Sequence, residues 1–452
     1  MINTLFIPEL REMLAESNSS GLAEFCTALH PSRTAEFMAG LESKEIWLVF
    51  EHTDPDTQAD ILSYFNRPQQ VELVTTHDRD KAASLVQMLP PDERVDLLQE
   101  LDDDCRDELV ALMPPEIRRD ILRLQQYPEG TAGAVMTTDV TKLSEHLTIR
   151  EAMNEITRQA EERETIYYLY IVDEEDHLRG LVSARQLLAG MRHPQTPVSE
   201  IMQTDLVAAH VMDDQEEVAN KVARMDLLAI PVVDLEHRMV GIITHDDVID
   251  VVREEATEDA HRSAAVEPLA QSYLVTSVLT LSWKRGIWLT ILFFCALLTA
   301  FALEQYETRL QKLYWLVPFI PLIISSGGNS GSQSATLIIT ALSRGHISVG
   351  DWMKVVTREL LMGLLLGLGL AVLGFAACLL MINDVTFRMS LVVPVTLVLV
   401  TVSGTLTGSI LPLLFEKIGL DPAMMSNPFV AGIVDILGIV IYMSVAAWLV
   451  GV

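Results

Sequence analysis

The chain has 452 residues, 50% of them hydrophobic, and a formal charge of −30 at neutral pH. Only 8 of its 62 acids and 9 of its 32 Lys and Arg lie from Lys284 onward, so the part before Lys284 carries −31 and the rest +1. No basic surface stands out, which excludes nucleic acid as a partner, and so acidic a part invites cations that relieve its self-repulsion.

The first residues, Met1 to Leu14, include Glu9, Arg11 and Glu12 and lack an apolar signal core, the pattern of a chain that is not secreted. Cys26, Cys105, Cys295 and Cys378 stand alone, as buried thiols of a reducing compartment do, rather than as disulfides or a zinc site. Residues 1–130 read as helical, with apolar residues at three and four spacing. Leu85–Glu93 (LVQMLPPDE) echoes Leu109–Glu116 (LVALMPPE) at an offset of 24. Pro-Pro followed by an acid suits a helix start, and short helices repeated at this period suggest an α-solenoid-like N domain.

A second repeat covers residues 131–255. Ile171–Ser183 (IVDEEDHLRGLVS) matches Val232–Thr244 (VVDLEHRMVGIIT) at an offset of 61. Each copy reads as strand, acidic turn, Gly, strand, helix, and each is led by a Val/Ile-Met pair, Val135–Met136 or Ile201–Met202. This α+β pattern resembles tandem CBS domains. A connecting helix follows over 246–280. On it Asp247, Asp250, Glu254 and Glu258 share a side and Glu255 and Asp259 flank them. Such like charges destabilise a helix unless they are neutralised or simply solvated. Asp92, Asp96, Asp214, Glu216, Glu217 and Asp226 add carboxylates for bridging cations.

Residues 281–452 hold five apolar stretches, near 284–303, 314–342, 355–381, 389–415 and 427–451, each long enough to span a bilayer. With the acidic part cytoplasmic, the inner flanks hold Lys284, Arg285, Arg344, Lys354, Arg358 and Lys417, the outer ones only Arg309, Lys312 and Arg388. That bias places the N-terminus inside and the C-terminus outside. The last stretch carries one ionisable residue, Asp435. A carboxylate in hydrocarbon costs at least about 3 kcal/mol, so it either faces a cation path or is protonated and satisfied by a neighbouring helix. Asn427, Ala431, Gly438 and Tyr442 lie at helical spacing from it. The second stretch contains Ser325–Ser334 (SSGGNSGSQS), entered through Pro318 and Pro321. Such a run lines a cavity or forms a close-packed interface through residues such as Gly327 and Gly331.

With no Cys or His near Asp435, soft metals are disfavoured, whereas a hydrated Mg2+ needs only one or two carboxylates. Proton relay is the competing use of such an Asp. HExxH, P-loop, GxSxG and phosphorylated-aspartate pump signatures are all missing, which points to passive transport and not to an enzyme.

From Gly327–Ser334 (GGNSGSQS), Asp421–Ala423 (DPA), Asn427–Asp435 (NPFVAGIVD) and Glu255–Asp259 (EATED), the chain resembles the MgtE family of magnesium channels nearly end to end. The resemblance implies a multidomain protein: helical N domain, tandem CBS module, connecting helix and a five-helix transmembrane domain. It implies a homodimer in the lipid of the cell (inner) membrane, with a pore on the twofold axis. Asp435, the Ala431 carbonyl and Asn427 would hold hydrated Mg2+, with Gly328, Ser332 and Thr336 lining the wall; Ser332 stands where the family often has Asn. Cytosolic Mg2+ would close the pore by bridging Asp92, Asp96, Asp214, Glu216, Asp226, Asp247, Asp250, Glu255, Glu258, Asp259 and Asp421. ATP is a further expected ligand, with Asp247 for the ribose and Arg185 for phosphate, although the first repeat has Gln186 where that acid belongs. The alternatives are a proton- or sodium-coupled divalent carrier and a membrane-anchored nucleotide sensor.

Overall fold

The computed structural model describes residues 5–159, 165–269, 273, 276–382, 386–424 and 427–451. The chain forms two compact units, Met1–Arg253 and Glu254–Val452.

The first unit opens with ten short helices, from α1 (Ile7–Ala15) to α10 (Pro115–Leu124). Side-chain caps and proline starts keep them short. Asp54 accepts the Thr57 N–H at 2.9 Å to cap α5 (Pro55–Ser63), and α8 (Pro91–Gln99) and α10 both begin at the second proline of their Pro-Pro pair. The repeat at offset 24 is therefore a pair of helices: α7 (Arg79–Val86) with α8, then α9 (Asp103–Leu112) with α10. Neighbouring copies stack α7 on α9 and α8 on α10 around a continuous apolar core that includes Leu85, Leu97, Leu98 and Leu109.

After α11 (Ala132–Val135), two three-stranded sheets follow, each with one parallel and one antiparallel pairing. The first has β1 (Lys142–Ser144), α12 (Ile149–Gln159), β2 (Tyr168–Val172), β3 (Leu178–Ser183) and α13 (Ala184–Gly190). The second has β4 (Ala209–His210), α14 (Gln215–Met225), β5 (Ala229–Val233), β6 (Met239–Thr244) and α15 (His245–Ser263). The copies share their register: Ile171 faces Gly180, Val232 faces Gly241, and each hairpin is irregular at the next residue. The two glycines have a common reason. A side chain on Gly180 would collide with Met202, and one on Gly241 with Met136 and the Thr137 carbonyl. Each copy's leading methionine thus packs on the other copy's glycine.

α15 starts in the first unit and ends in the second. The connecting helix expected over 246–280 is helical only as far as Ser263, because Ala265 turns left-handed (φ 58°) and ends it. Residues 270–272 and 274–275 of that expected helix lie outside the described residues.

The second unit has α16 (Val278–Glu304), α17 (Glu307–Lys312), α18 (Ile320–Ser343), α19 (Trp352–Met381), α20 (Phe387–Ser390), α21 (Val392–Lys417) and α22 (Asn427–Val450). Among the described residues, four helices are long and apolar enough to cross a membrane: α16, α19, α21 and α22. α18 is long enough at 24 residues, but its Ser, Gly, Asn and Gln run keeps it out of that set. The run does not break the second span: α18 continues through it. It is a packing face on one side. Side chains at Gly404 and Gly408 of α21 would drive into the Gly327 and Gly331 carbonyls of α18, so the two backbones touch. Around them Phe319, Ile323, Leu397, Val400, Ile439 and Tyr442 form the core.

Gly408→Val should therefore reduce the folded yield and lower the thermal midpoint, overpacking costing ~1–3 kcal/mol or more where backbone is the obstacle. Gly369→Ala, which meets open space, should be neutral by the same thermal unfolding measurement.

Candidate functional site

Asp435 lies in the third turn of α22, half-buried. Among the described residues none donates a hydrogen bond to its carboxylate. α18 comes close to it at a glycine: a Cβ on Gly328 would stand 3.4 Å from Asp435 Oδ1 and 3.3 Å from Ala431 Cβ. One and two turns further along α18, the Ser332 hydroxyl donates to the Asn427 carbonyl and the Thr336 hydroxyl to Asn427 Oδ1, each at 3.1 Å. Asn427, Ala431 and Asp435 thus meet Gly328, Ser332 and Thr336 along one seam. Two residues expected at the same spacing turn away. Gly438 is buried against Val400, and Tyr442 is fully buried, its hydroxyl donating to the Leu316 carbonyl at 2.9 Å. The polar face is therefore shorter than its helical periodicity suggests.

The acids fall into two sets, one in each unit. In the first unit Glu93 of α8 is surrounded by Asp247, Asp96 and Asp246, opposed by Arg67. Burial, with help from these acids, pushes its carboxyl up to about 7. The sequence pointed to its neighbours Asp92 and Asp96, and Glu93 between them carries no spacing signal of its own. Asp96 is exposed and 3.4 Å from Arg67, and Asp92 lies in the first turn of α8. Asp247 opens α15, where Oδ2 accepts from the Thr244 N–H and hydroxyl; burial pushes its carboxyl upward.

In the second unit Asp259 is pushed up to about 6, by burial first and then by Asp421, Glu255 and Glu258. Arg262, which the sequence reading passed over, pairs with both Glu258 and Asp421, and Asp421 also accepts the Ala423 N–H at 2.7 Å. Of the remaining expected acids, Asp250 adds its charge to that facing Asp247. Asp214 caps α14 through the Glu216 and Glu217 N–H groups, Glu216 lies in its first turn, and Asp226 ends it in left-handed conformation. Asp250 is exposed beside Arg253. Among the described residues no three Asp, Glu, His or Cys side chains converge tightly enough to enclose a bare ion. Loose acidic surfaces of this kind suit a hydrated cation better than a dehydrated one.

The two sheet repeats differ where a ribose would bind. Ser183 and Gln186 form a reciprocal capping box, with the Ser183 N–H and hydroxyl both 2.8 Å from Gln186 Oε1. The amide there does the structural work that Asp247 does in the second copy. Arg185 is exposed.

The family model described as a divalent cation transporter matches residues 320–445, that of the MgtE intracellular N domain residues 29–130, and that of the CBS domain residues 132–193 and 198–254. The magnesium transporter MgtE of Thermus thermophilus is 40% identical over 327 residues, 72% of this chain and 71% of the relative. That of Enterococcus faecalis is 33% identical over 72% of this chain and 70% of its own. Among solved structures, the soluble part of a magnesium transporter superposes with a TM-score of 0.52 at 32% identity, over 55% of this chain and 97% of the other. The cytosolic domain of the Mg2+ channel MgtE in complex with ATP gives 0.51 at 33% identity, over 54% and 98%.

A carboxyl raised to about 7 from an ordinary 4.5 binds its proton more tightly in the folded state. The stability it contributes is complete below the ordinary value and is lost as pH rises through about 7. Without divalent ions, the thermal midpoint should fall between about pH 6 and about pH 8, and Glu93→Gln should flatten that fall. Thermal melts of the two proteins at both pH values check this.

Proposed function

The chain belongs to the MgtE family of divalent cation transporters, and from that premise we propose that it is a channel-type Mg2+ importer whose ion path passes Asp435. One observation carries the reading: Asp435 lies in an apolar span, lacks a hydrogen-bond donor among the described residues, and faces Gly328, which has no side chain to satisfy it. A carboxylate packed away in hydrocarbon would be satisfied by a neighbouring helix. This one is left to attract a cation. The Asn427 carbonyl and amide oxygens and the Ala431 backbone beside it offer hard oxygen partners for the water shell that Mg2+ keeps.

In the proposed arrangement two copies of the chain each contribute one Asp435 to a shared path, in the cell (inner) membrane, with the N-terminus cytoplasmic and the C-terminus outside. No residue of α16 is buried within its own chain, which fits a helix bounded by lipid or by a second copy. Cytosolic Mg2+ is the closing signal. It neutralises the sets around Glu93 and around Asp259, each of which holds more carboxylates than it has arginines. When Mg2+ leaves, repulsion within each set returns and opens the path.

For a nucleotide, only the second repeat keeps the acid, and Asp247 there has Oδ1 free of the Thr244 cap while Arg185 is exposed for phosphate. ATP binding is accordingly proposed through that half alone, as an adjustment of the gate.

Purified protein in liposomes tests the path. Asp435→Asn should cut Mg2+ uptake down its gradient by about tenfold or more, because the attracting charge is gone. Native rates in that variant would reject the path, and uphill Mg2+ uptake driven by a proton gradient would favour a coupled carrier. Limited proteolysis tests the gate: millimolar Mg2+ should protect the Glu254–Glu258 segment, and equal cleavage with and without Mg2+ would reject it.

A further inference from the structure

Glu359 is a buried carboxylate within a membrane-length helix, and the ion path does not use it. It sits on α19, only 9% exposed, and accepts a 2.6 Å hydrogen bond from the Ser334 hydroxyl of α18. Its backbone carbonyl accepts the Thr405 hydroxyl of α21 at 3.1 Å. Among the described residues no Lys or Arg pairs with it.

A carboxyl group there is not needed to hold α19 on α21. That contact is made by glycines: Gly363 lies against Val402 and Thr405, and Gly367 against Val398. The Glu359 side chain instead reaches across to α18, whose backbone otherwise makes little contact with α19. One turn away Ile338, Val355 and Leu413 seal the same seam with a small apolar cluster. Ser334 is therefore where α19 takes hold of α18.

Position matters because of what lies on the other side of α18. At about 100° per residue, Ser334 is about 160° round the helix from Ser332 and Thr336. The back of α18 is tied to Glu359 while its front meets Asn427. A rotation of about 20° about the helix axis would move a Cα at its ~2.3 Å radius by about 0.8 Å. That exceeds the tolerance of about 0.5 Å within which a binding constellation works.

We propose that Glu359 is a positioning residue for the ion path: through Ser334 it fixes the rotation of α18, and with it the placing of Gly328, Ser332 and Thr336 against Asp435 and Asn427. The proposal rests on the reading of Asp435 as part of an ion path. Neither Glu359 nor Ser334 touches the ion in this arrangement.

The test is the initial rate of Mg2+ uptake by full-length protein in liposomes, measured against Mg2+ concentration. Glu359→Gln keeps an oxygen to accept from Ser334, so its half-saturating concentration should stay within about twofold of native. Glu359→Ala and Ser334→Ala each remove the bond and should raise it about tenfold, the worth of one hydrogen bond to a carboxylate. The double variant should be no worse than Glu359→Ala, since both changes break one interaction. Native half-saturation in Ser334→Ala, with or without a loss of folded yield, would overturn the proposal. So would a Glu359→Gln as impaired as Glu359→Ala, because the charge itself would then be at work. Asp435→Asn, run alongside, separates the two ideas: if it is inactive while Ser334→Ala is native, only the positioning role falls. If it is fully active, the path reading falls first.

Discussion

An unsatisfied carboxylate at membrane depth is the constraint around which the second unit is arranged. Asp435 lies in an apolar helix with no donor among the described residues, and the residue facing it is a glycine. Desolvating a carboxylate without a partner is among the most unfavourable steps a fold can take. Here the residue of α18 that comes closest to it is Gly328, which brings no side chain against it. Small residues usually maximise helix contact in membranes. On α18 they do so on one face, where Gly327 and Gly331 meet Gly404 and Gly408, while on the other Gly328 lies against Ala431 and Asp435.

That division makes α18 the helix on which the site depends. Its polar run is too hydrophilic to face lipid and too regular to be a loop. Backbone contact with α21, the Glu359–Ser334 bond to α19 and the Asn427 contacts to α22 hold it from three sides. The first unit meets the opposite problem. Burial, with Asp247, Asp96 and Asp246 nearby, pushes the Glu93 carboxyl up to about 7, so the fold there is steadied by a proton or cation that neutralises it.

Much of this was legible in the sequence because the signals were periodic or energetically extreme. The offset of 61 gave two hairpins with the same register and the same irregular position, and the offset of 24 gave stacked helix pairs. Asp435 was conspicuous because hydrophobic spans tolerate so few charges. What escaped notice depended on rotation and neighbours. Tyr442 matches the spacing of the Asp435 face, yet the helix packs it into the core against Leu316. Composition left the Gly-rich run as a cavity lining or a packed interface, and only the contacts of Gly327 and Gly331 with α21 show the second. Glu93 and Arg262 are single charges in charged runs, and only their tertiary surroundings set them apart. Glu359 follows an arginine near the start of α19, and only its contact with Ser334 sets it apart.

Water access to position 435 is the most direct measure of whether Asp435 faces an ion path. With Cys26, Cys105, Cys295 and Cys378 replaced by serine, Asp435→Cys can be treated in liposomes with a small, positively charged, membrane-impermeant thiol reagent. If the position faces a water-filled cation path, the thiol is modified, and Mg2+ slows the reaction by competing for the same space. A thiol that stays inert at every Mg2+ concentration, in protein that remains folded, would mean that position 435 is sealed from water and would contradict the path.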